Sequence, residues 1–309
     1  MTATVHRKHV IDLDDFSAEE INEVLEMSEG MKEVLSREIK QVPALRGRTV
    51  VNMFYEESTR TRISFELAAR ALSANVVNFT ARGSSVEKGE SLIDTVRTLQ
   101  ALGADIVVMR HSESGAPYLV TQHFHGSVIN AGDGRHAHPS QALLDLFTIR
   151  ERLGRIAGLK VVIVGDILHS RVARSNLWGL TRMGARVTLC APPTLLGPAH
   201  YWTSTWPEVQ ISHKFDEAIA GADVIMALRL QKERQQAGLL PSLREYSRYF
   251  AVTTERIEQI GAHVLVLHPG PMNEGVEISP EVARSPQSAI DQQVTNGVAV
   301  RMALLYRLA

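Results

Sequence analysis

Apolar positions along the chain follow two rhythms. In SAEEINEVLEMSEGMKEVL (17–35), Ile21, Val24, Leu25, Met31, Val34 and Leu35 recur at helical spacing. Ser17 and Glu20 form a capping-box pattern at its start, so the spacing predicts a helix with one buried face. Short, nearly continuous apolar runs follow. RTVVNMF (48–54), NVVNF (75–79), DIVVMR (105–110) and SVIN (127–130) read as strands, separated by helical patterns from about Thr59 to Leu72 and over SLIDTVRTLQAL. A long helix near 139–152 precedes a second series of apolar runs: LKVVIVGD (159–166), RVTLCAP (186–192), ADVIMAL (222–228) and AHVLVLH (262–268). The closing QQVTNGVAVRMALLYRL reads as an amphipathic helix.

Strands that are apolar throughout and alternate with helices indicate parallel sheets covered on both faces. The expected fold is α/β, with two domains, each a parallel β-sheet flanked by helices, and an active site in the cleft between them. The pattern divides the chain into 1–138 and 139–290, with helix 291–309 expected to pack back on the first domain.

Composition narrows the function. A chain of 309 residues with 44% hydrophobic and 22% charged residues is globular and long enough for about two domains. A formal net charge of -1 gives no field favouring nucleic acid or an anionic membrane. No apolar run is long enough for a membrane span, and MTATVHRKHVIDLDD lacks the apolar core of a signal peptide. Cys190 is the single cysteine, expected in a buried strand; with no internal disulfide, a reducing cytoplasm fits.

Candidate chemistry lies where strands end. STRTR (58–62) falls at a strand-to-helix junction, where free N–H groups and partial positive charge suit a phosphate. Ser58 and Thr59 can cap or donate, Arg60 can fork onto phosphate oxygens, and Thr61 adds a hydroxyl. Arg62 is expected in a structural ion pair, and Ile63, Phe65 and Leu67 are expected to pack the helix. A capped helix with solvated arginines is an equal alternative for the pentapeptide alone. MRH places Arg110 at a strand end. HPSQ places His138 and Gln141 around a helix start, one able to polarise a carbonyl and the other to read an amide, against the alternative of a surface histidine. HPGP (268–271) either turns carbonyls outward or is an ordinary turn. GDILHSR lacks the dinucleotide glycine fingerprint, which disfavours an NAD-dependent oxidoreductase, and leaves Arg171 for a carboxylate. RLQKER offers Arg229 and Gln231, and RGSSVEKGES offers Ser84 and Lys88, although solvated loops account for either. No zinc spacing is present; no metal and no cofactor are expected.

Taken in order, FYEESTRTRISFE, MRH, HPSQ and an HPxP turn resemble the carbamoyltransferases across nearly the whole chain. SSVEKGES, RLQKER and HPGP are similar to the aspartate-specific members; ornithine-specific members typically carry a cysteine in an HCLP turn. The resemblance implies transfer of the carbamoyl group of carbamoyl phosphate to L-aspartate, an early step of pyrimidine biosynthesis, in a cytoplasmic homotrimer. It assigns phosphate to Ser58, Thr59, Arg60 and Thr61, with Arg110 bridging phosphate and carbonyl oxygen. Thr61, Arg110 and His138 would stabilise the oxyanion. Gln141 and the carbonyls of Gly270 and Pro271 would hold the carbamoyl NH2, while Arg171, Arg229 and Gln231 take aspartate carboxylates. Ser84 and Lys88 would enter a neighbouring subunit's site. Glu56 would pair with Arg171 and Arg234 on domain closure, and Glu233 would orient Arg229. Val172 stands where some relatives have threonine, and Gly270, where some have leucine, is expected to loosen its turn. Regulatory chains or a dihydroorotase are expected, if at all, as separate proteins. An ornithine-using enzyme and a catalytically silent scaffold are the rivals. Retention of Arg60, Lys88, Arg110 and His138 weighs against the scaffold.

Overall fold

The computed structural model describes residues 7–80, 89–230, 239–240 and 242–309. The chain forms two compact units, one comprising residues 1–144 and 295–309, the other 145–294. The division falls within a helix at Leu144/Asp145, not at 138 as the sequence pattern placed it. The apolar pattern of that helix runs unbroken across the boundary and therefore cannot mark it.

The sheet of the first unit has the order β1-β5-β4-β2-β3, all pairs parallel. Its strands are β1 His9–Val10, β2 Thr49–Phe54, β3 Asn75–Thr80, β4 Ile106–His111 and β5 Ser127–Asp133. Helix α1 (Ala18–Ser36) lies between β1 and β2, and its Ser17–Glu20 capping box is formed. Helices α2 (Thr59–Ala71), α3 (Leu92–Ala101) and α4 (Ala116–Thr121) connect the later strands. The second unit repeats the plan as β10-β9-β6-β7-β8, again parallel. Its strands are β6 Lys160–Val164, β7 Arg186–Cys190, β8 Gln210–Ser212, β9 Val224–Ala227 and β10 Leu265–Leu267. Helix α5 (Pro139–Leu153) precedes β6, and α6 (Arg171–Arg182) links β6 to β7.

Strand order places the chemistry. From β2 the chain steps outward to β3, then returns to β4 on the other side of β2. Connections leave β2 and β4 in opposite directions, opening a crevice at their carboxyl ends. Phe54 pairs with Arg110 in the register, so the α2 junction and Arg110 emerge level with one another. In the second unit β6 and β9 stand in the same relation, with Arg171 following one and Arg229 the other. Gly165 permits a close approach there: its φ is +131°, and a Cβ would lie 2.9 Å from the Leu228 carbonyl oxygen.

The C-terminal helix, Ile290–Arg307, departs from an amphipathic pattern. Residues from Ala299 to Leu305 are all buried. Within the first unit, Ser127 Oγ donates to the Leu308 carbonyl at 2.9 Å and Arg301 to Ser64 Oγ at 2.7 Å. The expected packing of α2 needs correction. Phe65 is fully buried, contributing about 2 kcal/mol on the scale of an apolar core side chain. Ile63 and Leu67, however, are 45% and 51% exposed. Two residues before and after Phe65 on a helix point away from it, so the three cannot share a buried face. Arg62 adds its charge to those acting on Glu66, whose side chain accepts from Arg70 and Asn78.

Cys190 lies fully buried at the end of β7, and burial pushes its thiol up to about 12. Native protein should therefore be inert to a disulfide reagent at mildly alkaline pH and yield one reactive thiol only after denaturation. Rapid labelling of the folded chain would contradict this burial.

Candidate active site

In the first unit, Ser58 is the N-cap residue of α2 but its side chain makes no capping bond. Ser17, Ser91 and Ser170 hold equivalent positions before α1, α3 and α6 and do cap, accepting from Glu20, Asp94 and Ala173 N–H respectively. The first turn of α2 contains no acidic residue, although Glu56 and Glu57 precede it. Thr59 and Arg60 are exposed, whereas Thr61 is buried. This helix start thus carries the Ser58 and Thr59 hydroxyls and the Arg60 guanidinium, with no capping bond from Ser58.

Arg110, at the end of β4, is largely buried. Its Nη2 donates to Glu56 Oε1 at 2.5 Å and its Nη1 to the Ala131 carbonyl at 3.4 Å. The guanidinium is thus oriented from the loop after β2 and from β5. Glu56 engages Arg110 within its own unit; Arg234, one of its two expected partners on domain closure, lies outside the described residues. Next to Arg110, His111 is pushed below its ordinary value by burial, against the pull of Glu113, Asp133 and Glu56; its Nδ1 accepts from Glu113 N–H at 2.9 Å.

His138 and Gln141 are both buried at the start of α5, and the Gln141 N–H donates to the His138 carbonyl at 3.0 Å. What fixes this turn is a residue the sequence reading missed. The fully buried carboxylate of Asp133 accepts from Gly115 N–H at 2.7 Å, Asn130 Nδ2 at 2.8 Å and Ala137 N–H at 3.1 Å. It also bonds His136 Nδ1 at 3.0 Å. The signal was present in AGDGRHAHPSQ, where an aspartate between glycines precedes histidine by three residues.

This pair gives a pH signature. The hydrogen bond to Asp133 raises His136 above 6.5; burial opposes, and the charges of Asp133, Asp12 and Asp14 reinforce it. Burial acts to raise Asp133, but bonds from His136, Gly115 and Asn130 outweigh it and hold Asp133 below 3.8. A histidine raised on folding stabilises fully below its unfolded value and loses that contribution as pH rises through its folded value. An aspartate lowered on folding stabilises above its unfolded value and loses it as pH falls through its folded value. The two contributions coincide between pH 3.8 and 6.5. His136→Ala should therefore lower Tm more at about pH 5.5 than at about pH 9. Equal deficits by calorimetry at both would remove the charged pair as their cause.

In the second unit, Arg171 is the first residue of α6 and is 4% exposed. The preceding turn is held by Asp166 and His169, both buried, with His169 Nδ1 2.6 Å from Asp166 Oδ1. Val172 is buried directly after Arg171, so this position carries a buried side chain without a hydroxyl. Arg229 is half-buried just beyond β9. Gly270 takes φ +60°, which glycine adopts without strain, and its N–H donates to His268 Nδ1 at 2.8 Å. The turn expected to be loosened is thus hydrogen-bonded. Ser84, Lys88, Gln231, Glu233 and Arg234 lie outside the described residues. Among the described residues, no cluster of three or more His, Cys, Asp or Glu side chains could hold a metal ion.

Two family models match in succession. The aspartate/ornithine carbamoyltransferase carbamoyl-P binding domain matches residues 8–151, and the aspartate/ornithine carbamoyltransferase Asp/Orn binding domain matches residues 157–308. The chain is 77% identical over 303 residues to the aspartate carbamoyltransferase catalytic subunit of Roseiflexus castenholzii, covering 98% of this chain and 95% of that protein. It is 56% identical over 300 residues to that of Dehalococcoides mccartyi, covering 97% and 91%. Among solved structures, the aspartate transcarbamoylase of Trypanosoma cruzi in complex with carbamoyl phosphate and aspartate superposes with a TM-score of 0.87 at 30% identity, covering 97% and 96%.

Proposed function

Because the chain belongs to the aspartate/ornithine carbamoyltransferase family, we propose that it transfers the carbamoyl group of carbamoyl phosphate to the amino group of L-aspartate. The products are N-carbamoyl-L-aspartate and phosphate, and the step belongs to pyrimidine biosynthesis. The observation that carries this reading is the start of α2, where Ser58 makes no capping bond, level with Arg110. A helix N-terminus without its serine cap or an acidic first turn, level with a largely buried arginine, suits the phosphate group of an acyl phosphate.

Ser58, Thr59, Arg60 and Thr61 seat the phosphate, and Arg110, held by Glu56, reaches both phosphate and carbonyl oxygen. Thr61, Arg110 and His138 donate to the oxygen that gains charge as the tetrahedral intermediate forms. Gln141 and the Gly270 and Pro271 carbonyls hold the carbamoyl NH2. Arg171 and Arg229 take the carboxylates of the acceptor. Two arginines at strand ends suit a dicarboxylate better than the cationic side chain of ornithine. The neutral amine attacks the carbonyl carbon, the C–O bond to phosphate breaks, and the departing phosphate accepts the amine proton. Positioning and preorganised donors supply the acceleration, without a covalent intermediate.

We further propose a homotrimer working in the cytoplasm. Ile63 and Leu67 on α2 and Val77 on the edge strand β3 are exposed apolar residues, which suits coverage by another copy. The acceptor is tested by offering carbamoyl phosphate with L-aspartate and, separately, with L-ornithine. Carbamoylation of aspartate alone is expected; carbamoylation of ornithine would overturn the roles of Arg171 and Arg229.

A further inference from the structure

The second unit contains a buried polar chain that runs from Val172, the residue after Arg171, to the 268–271 turn. Asp145, on α5, is fully buried. Its Oδ2 accepts from Asn176 Nδ2 at 2.9 Å, and its Oδ1 accepts from Gln293 Nε2 at 2.7 Å. Asn176 lies on α6, and its Nδ2 also donates to the Val172 carbonyl at 3.0 Å, within the turn that begins at Arg171. Gln293 lies on the C-terminal helix, and its Oε1 accepts from the His268 N–H at 3.0 Å. His268 Nδ1 in turn accepts from Gly270 N–H at 2.8 Å. Accepting at Nδ1 requires that nitrogen to be unprotonated, with any ring proton on Nε2, which faces Glu277 Oε1 at 3.4 Å.

Such a chain is a costly way to hold a fold together. A buried carboxylate pays a desolvation penalty that well-packed apolar residues avoid, and apolar replacements of buried polar networks are often as stable. What an apolar contact cannot do is fix direction. Each bond here has a defined donor and acceptor, and together they determine how the start of α6 faces the 268–271 turn. We propose that Asp145 is a positioning residue: bonded to Asn176 on one side and Gln293 on the other, it holds Arg171 and the Gly270–Pro271 carbonyls in a single geometry, so that acceptor carboxylate and carbamoyl NH2 are presented in register. This inference rests on the substrate contacts proposed above.

The test separates the two arms. Asn176→Leu frees the α6 arm and Gln293→Met the turn arm, each at similar volume. Asn176→Leu should raise KM for aspartate about tenfold and leave KM for carbamoyl phosphate within about twofold, as expected when one arm of a hydrogen-bonded network is lost. Gln293→Met should raise KM for carbamoyl phosphate and lower kcat, each about tenfold, with KM for aspartate within about twofold. Asp145→Asn, which can accept on one side only, should show both defects, and the double variant Asn176→Leu/Gln293→Met should resemble it. Should Asp145→Asn fail to fold, the two single variants still decide. Variants that lower Tm while keeping wild-type kcat and both KM values per folded molecule would make the chain purely structural and overturn the proposal. Absence of aspartate carbamoylation by the wild-type protein would instead overturn the reading beneath it, and this inference with it.

Discussion

Arg60→Ala should lower kcat for carbamoyl transfer by about 10²- to 10³-fold, the loss seen when one preorganised donor to developing charge is removed. The same change should leave Tm within about 1 °C, because exposed positions contribute little to stability. Arg60 lies in the first turn of α2, exposed, while the packing of that helix is supplied by Thr61, Ser64, Phe65, Ala68 and Ala69. Loss of rate without loss of stability would identify a residue kept for its charge. Steady-state kinetics with calorimetry on the same preparation decides this. A near-normal kcat would remove the phosphate assignment, and a large fall in Tm would make the residue structural.

Arg171→Ala should act on the other substrate. Its guanidinium is buried at the start of α6, where a charge-assisted contact to a carboxylate is poorly screened. Truncating one member of a buried charged pair costs about 2–5 kcal/mol, so kcat/KM for aspartate should fall by about 30-fold or more. Carbamoyl phosphate affinity, measured by equilibrium titration, should stay within about twofold, because its phosphate contacts are assigned to other residues. Lysine at 171 should recover only part of the loss, since an ammonium keeps the charge but cannot form a two-bonded fork. Equal losses for both substrates would indicate that the change disturbs the turn held by Asp166 and His169 rather than a carboxylate contact.

The sequence made the fold class legible because buried parallel strands are apolar throughout. VVNMF, IVVM, VVIV and VIMA need no tertiary knowledge to be read. The short strands β1 and β8 escaped because two or three residues carry no periodicity. The exposed faces of Ile63 and Leu67 escaped for a different reason: an apolar residue on a helix is read as core, although a surface to be covered by another chain has the same composition. The boundary at Leu144 escaped because a continuous helix crosses it.

The candidate site was legible at strand ends, where Ser58–Thr61, Arg110, His138 and Arg171 all stand out as polar residues following apolar runs. The residues that orient them did not stand out. Asp145, Asn176 and Gln293 sit within ordinary helical patterns and bond across long sequence separations, whereas Asp133 lies only three residues from His136 and was hidden by its burial rather than by distance. The Glu56 bond to Arg110 was not legible, because it follows from the register of β2 and β4.

The claim on which the rest depends is that the start of α2 seats the phosphate of carbamoyl phosphate. A crystal structure of this protein soaked with carbamoyl phosphate tests it most directly. The account predicts phosphate oxygens within hydrogen-bond distance of Ser58, Thr59 and Arg60, with Arg110 reaching the same group. Phosphate bound instead at the start of α6, beside Arg171, would contradict it.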